Sequence, residues 1–96
     1  MDDRQCKTPA LSRARASIAR IDGAIVRLIA DRVAAARVAA DAKRTASLPL
    51  FDPGQEARVV RRAAELARVE GLPEEDVRVV FWQLIALTRE SEARSP

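Results

Sequence analysis

Arg32 and Lys43 are the side chains of this 96-residue chain whose placement asks for a chemical explanation. At about 100° per residue, the eleven-residue step from Arg32 to Lys43 leaves the two only about 20° apart on a helical wheel, so the two cations share one face three turns apart. Arg32 also interrupts a stripe of apolar residues, where a core side chain belongs. Further along, Glu56 stands one turn before Val59 and Val60, and Thr88 and Glu92 prolong the stripe Val77, Val80, Phe81, Leu84. Burying an unpaired charge is costly, so each of these groups needs a partner or a water-filled cavity. Inward cations together with inward hydrogen-bonding groups describe a pocket for a small polyanion. A guanidinium suits that task, because it grips a carboxylate through two parallel hydrogen bonds that also set its orientation.

Taken one at a time, these residues also have ordinary structural readings. Arg32 fits a snorkelling side chain or an ion pair with Glu56 or Glu92. Lys43 complements the dipole at a helix C-terminus, and Asp52 and Gln55 fit as helix caps. Thr88 fits a threonine bonded back to the carbonyl four residues earlier, and Glu92 a solvated carboxylate near the chain end. Arg13, Arg20, Arg27 and Arg37 look like surface charges. The separate readings leave the coincidence of all these groups on inward faces unexplained.

The elements that must position them are helices. From Leu11 the apolar positions run Leu11, Ala14, Ile18, Ile21, Ile25, Leu28, then Arg32, then Ala35, Ala39, Ala42, in steps of three and four without a slip. Nothing breaks the pattern before "TASLP", and Gly23 is its one weak helix former. Such a helix of about 36 residues extends roughly 54 Å, longer than a compact monomer of this size is wide. A second copy of the chain is the simplest cover. Asp52, Pro53 and Gln55 form a capping-box-like start to a second helix with the stripe Val59, Ala63, Leu66 and a stop at Gly71. The third helix starts in "EEDV", with acids in its first turn where the helix dipole favours them. The expectation is an all-α protein with one long and two shorter helices, a single domain over 1–96 with flexible tails at 1–9 and 94–96.

Composition narrows the function classes. Apolar residues make up 48% of the chain but aromatics only 3%, so any core is built from Ala, Val, Leu and Ile on closely packed helices. Seventeen basic residues against 14 acids give +3, spread along the chain rather than gathered on one face, which argues against nucleic acid. Cys6, the one cysteine, lies in the polar N-terminal stretch, and there is no histidine, so neither a disulfide framework nor metal-ligand spacing is present. No apolar run approaches a membrane span, and "MDDRQCKTPA" lacks the apolar core of a signal peptide. A soluble, cytoplasmic protein without metal or cofactor is expected.

In order and spacing the chain resembles the small all-α chorismate mutases from about Leu11 to Glu92. The matching pattern is Arg15 with "IARID", then Arg32, Lys43, "LPLFDPGQE" with Asp52 and Glu56, and "FWQLIALTRESE". The resemblance implies an intertwined homodimeric six-helix bundle with two active sites. It also implies that Arg15 reaches into the partner's site, which agrees with the wheel, where Arg15 points about 100° from Arg32. By the same resemblance, Arg32 and Lys43 hold the two carboxylates of chorismate, and Lys43 also reaches its ether oxygen. Glu56, with the region of Asp52, holds the ring hydroxyl. Thr88 stands where the family usually has a serine near a carboxylate, and Glu92 where many members have a glutamine that donates to the ether oxygen. The implied reaction, chorismate to prephenate in the shikimate pathway, is an intramolecular pericyclic shift that needs no nucleophile, metal or cofactor. It serves aromatic amino acids or a secondary metabolite.

Two positions depart from the family pattern. Gln55 replaces the arginine usual before the glutamate of "D-x-x-R-E", which removes a positive charge near the site. Glu92 in place of glutamine matters more, because an ionised carboxylate beside the ether oxygen opposes the transition state. Glu92 helps only when protonated, so activity is expected to decline as pH rises through its titration. Within the same fold, 4-amino-4-deoxychorismate mutases and isochorismate-pyruvate lyases act on related substrates. Asp52 and Glu56 suit a hydroxyl at the mutase position and disfavour the lyase, whereas an acid binds an ammonium as well as a hydroxyl. A non-catalytic helical dimerisation module is the reading from another class.

Overall fold

The computed structural model describes residues 8–94, which form three α-helices and no strand. They are α1 (Pro9–Thr45), α2 (Pro53–Val69) and α3 (Glu74–Arg94). The fold is all-α, as the periodicity predicts. Of the expected tails, Pro9 opens α1 and Arg94 closes α3, while 1–7, with Cys6, and 95–96 lie outside the described residues. By its contacts the chain divides into two units between Asp31 and Arg32, inside α1.

α1 and α2 end in the same hydrogen-bonded geometry. At α1, Leu48 N donates to Lys43 O at 2.8 Å and Ser47 N to Arg44 O at 3.1 Å. At α2, Leu72 N donates to Ala67 O at 2.8 Å and Gly71 N to Arg68 O at 3.2 Å. This six-to-one and five-to-two pairing satisfies the last carbonyls and turns the chain through a residue of left-handed conformation. That residue is Gly71 (φ 73°) after α2 and Ser47 (φ 57°) after α1, so the first turn asks of a serine what the second asks of a glycine. Pro49 and Pro73 then prevent either helix from resuming.

Asp52 caps α2, its Oδ1 accepting from Gln55 N at 3.1 Å, and Pro53 fills the first helical position. Only the Asp52 half of the expected capping box forms, and the Gln55 Oε1 instead accepts from Arg58 Nε at 3.1 Å. Three acids, Glu74, Glu75 and Asp76, open α3. Glu74 Oε1 accepts from Arg68 Nε at 3.1 Å and Nη2 at 2.8 Å, joining the last turn of α2 to the first turn of α3.

Within 32–94 the core is small and rich in alanine: Ala40 of α1, Val60, Ala63, Ala64 and Ala67 of α2, and Ile85 of α3. Short side chains let α2 and α3 approach closely, and the buried arcs therefore differ from the expected stripes. Leu66 is exposed, about 110° around the wheel from the centre of the buried arc of α2. Val80 is exposed for the same reason, and the inward line of α3 runs Phe81, Ile85, Thr88, Glu92. In the N-terminal part of α1, Ile18, Ile21, Ile25 and Leu28 are each between 49% and 65% exposed. No helix among the described residues is long and apolar enough to cross a membrane.

Candidate functional site

A cavity of about 350 Å³ opens within 32–94, a size ordinary for a small-molecule site. α1 supplies Arg32, Lys43 and, between them, Ala35, Ala36 and Ala39, whose short side chains leave the space open. Leu50 and Asp52 contribute from the connection, Gln55, Glu56 and Val59 from α2, and Ile85, Thr88 and Glu92 from α3. Seven of the eight residues singled out in the sequence thus surround one space. The eighth, Arg15, lies on the N-terminal part of α1 and is exposed there.

Arg32 is half-buried, and its Nη1 donates to Thr88 Oγ1 at 3.0 Å. Thr88 is buried, and its hydroxyl donates to Leu84 O at 2.8 Å. A hydroxyl has one proton, and here it is spent on the α3 carbonyl, so toward Arg32 the oxygen is an acceptor. The back-bonded threonine and the cavity-facing threonine are one and the same arrangement. It holds the guanidinium at one nitrogen and leaves donors on the others for a ligand.

Lys43 Nζ donates to Leu50 O at 3.2 Å, which steadies the ammonium beside the connection between α1 and α2. Two further N–H groups of an ammonium remain. Glu56 does not pair with Arg32. It meets Arg89 of α3, whose Nε donates to Oε2 at 2.8 Å and whose Nη2 donates to Oε1. The Arg89 guanidinium also lies 4.4 Å from the centroid of the Phe51 ring, within cation–π range. Glu92, half-buried, continues the α3 wall one turn beyond Thr88.

Arg89 and Phe51 were not visible as site-supporting residues in the sequence, because the contact between Arg89 and Glu56 spans 33 positions and two helices. Arg37, read there as a surface charge, donates to Ser91 at 2.6 Å and so links α1 to α3.

The electrostatics are mixed. Two cations, Arg32 and Lys43, line the cavity with three acids, Asp52, Glu56 and Glu92. The arrangement can hold an anionic group between Arg32 and Lys43 and accept a hydroxyl or ammonium at Glu56.

Comparison with protein families matches a model described as chorismate mutase type II to residues 14–93. Comparison with curated proteins and with solved structures gave no match.

Proposed function

We propose that this chain, which belongs to the chorismate mutase type II family, rearranges chorismate to prephenate. The observation that carries the reading is the convergence of Arg32 and Lys43 with Glu56, Thr88 and Glu92 on one cavity. A folded dicarboxylate presents its charges to the two cations and its ring hydroxyl to Glu56.

The reaction breaks a C–O bond and forms a C–C bond within one molecule, so catalysis is restraint and charge stabilisation. Arg32, fixed by Thr88, and Lys43, fixed by Leu50 O, hold the enolpyruvyl arm over the ring. Pre-paid orientation of this kind lowers the entropic barrier. Negative charge grows on the ether oxygen, and Lys43 stabilises it, joined by Glu92 only when that carboxyl carries a proton. A preorganised donor is worth about 3 to 4 kcal/mol in other enzymes.

A homodimer completes the site on this reading. With Glu56 answered by Arg89, Arg32 and Lys43 face Asp52, which leaves a dianion short of positive charge. Arg15 from a partner supplies it. The exposed Ile18, Ile21, Ile25 and Leu28 form a seam at helical spacing that a second α1 covers. The proposed enzyme works in the cytoplasm and needs no cofactor.

The experiment is turnover of purified protein with chorismate, 4-amino-4-deoxychorismate and isochorismate in parallel, following loss of substrate and formation of product. Prephenate as the principal product supports the reading. Pyruvate release from isochorismate without prephenate formation moves the assignment to the lyase, and preference for the amino substrate moves it to the aminodeoxychorismate mutase. Inertness toward all three leaves the helical dimerisation module.

A further inference from the structure

We propose that Arg89 is a positioning residue that presents the Glu56 carboxylate to the ring hydroxyl of the substrate, an inference that rests on the mutase reading above. Glu56 lines the cavity, whereas Arg89 stands behind it on α3. The two donors of Arg89 land on different oxygens, Nε on Oε2 and Nη2 on Oε1. A fork of this kind fixes the plane of a carboxylate as well as its distance, which a single hydrogen bond does not.

An ionised carboxylate has about four lone-pair sites, and the fork uses one on each oxygen. Each oxygen keeps one for a ligand. The glutamate side chain is 18% exposed and the arginine 47%, so the pair runs from the cavity wall outward. As a surface ion pair alone it would contribute little to stability. Its consequence is geometric, because a glutamate with three rotatable bonds is held in one orientation.

The Arg89 guanidinium is itself held from a second side. Its carbon lies 4.4 Å from the Phe51 ring centroid, and Phe51 follows Leu50, whose carbonyl accepts from Lys43. Arg89 therefore joins α2, α3 and the connection that steadies Lys43. The adjacent residue, Thr88, holds Arg32. Consecutive side chains on one turn of α3 orient a cation and an acid of the same cavity.

The test is a double-mutant cycle of Arg89→Gln and Glu56→Gln, measuring kcat and KM with chorismate and Tm for each protein. Arg89→Gln alone is expected to lower kcat/KM by about tenfold to a hundredfold, the scale of a misplaced binding group. In the Glu56→Gln background it should change kcat/KM by less than about twofold, since the group it positions is already altered. Arg89→Lys keeps the charge and the aliphatic stem but not the fork. It should recover only part of the loss, and it serves in the same cycle if Arg89→Gln does not fold. Full recovery by lysine, additive effects of the two substitutions, or an unchanged kcat/KM in Arg89→Gln overturns the proposal. If the unaltered protein converts none of the substrates above, it is the mutase reading that fails, and this inference falls with it.

Discussion

The Thr88 hydroxyl accepts a hydrogen bond from the Arg32 guanidinium at 3.0 Å while giving its own proton to Leu84 O at 2.8 Å. The acceptor role toward Arg32 is thus enforced by the helix to which Thr88 belongs. Thr88→Val keeps the shape and removes the acceptor. We expect kcat/KM to fall by about tenfold or more, with a stability loss of about 1 kcal/mol, and Thr88→Ser to retain most activity. Equal activity in the valine variant would show that Arg32 needs no such anchor.

Arg32 separates a substrate site from a structural defect. Arg32→Leu replaces a half-buried charge in an apolar seam, and such exchanges are often neutral or stabilising. Stability in urea is expected to hold or rise while mutase activity collapses. Retained activity would assign Arg32 to packing alone.

Glu92 lines the cavity where the reading needs a proton donor. An ionised carboxylate there opposes the negative charge that grows on the ether oxygen, whereas an amide donates to it. Glu92→Gln donates in every condition, so it is expected to raise kcat by about tenfold or more. An unchanged or lower kcat in Glu92→Gln refutes a role for this position at the ether oxygen.

Arg15 is expected to act in the partner's site. Arg15→Ala and Arg32→Leu should each be nearly inactive, yet mixing the two after co-refolding should restore up to about a quarter of the activity, since half of the dimers are mixed and each has one intact site. No recovery on mixing, with heterodimers demonstrated, places Arg15 in its own chain's site or outside both.

Ser47 adopts φ 57°, a region that costs a residue with a side chain and not a glycine. Ser47→Gly should raise the free energy of unfolding by about 0.5 to 1 kcal/mol, read from denaturant midpoints at unchanged slope. A lower midpoint would mean that the serine side chain contributes something the backbone geometry does not reveal.

The helices were legible because each rests on local chemistry. Steps of three and four mark α1 from Leu11 to Ala42, and Asp52 with Pro53 marks the start of α2. The turn at Gly71 follows from a glycine before Leu72 and Pro73, whereas the identical turn at Ser47 has no glycine to announce it. The cavity side of α1 was legible too, since a helical wheel alone puts Arg32 and Lys43 on one face.

What the sequence by itself determined was therefore the three helices, the residue types available for binding, and, through order and spacing, the family. Only the tertiary structure decided which arc of α2 and α3 is buried, because alanines at Ala63, Ala64 and Ala67 admit close approach and turn Leu66 outward. It alone decided the partners as well: Arg32 with Thr88 rather than Glu56, and Glu56 with Arg89. Periodicity assigns a side chain to a face of its own helix. Which group from another helix meets it depends on the rotation and approach of the two helices, and no stretch of either helix encodes those alone.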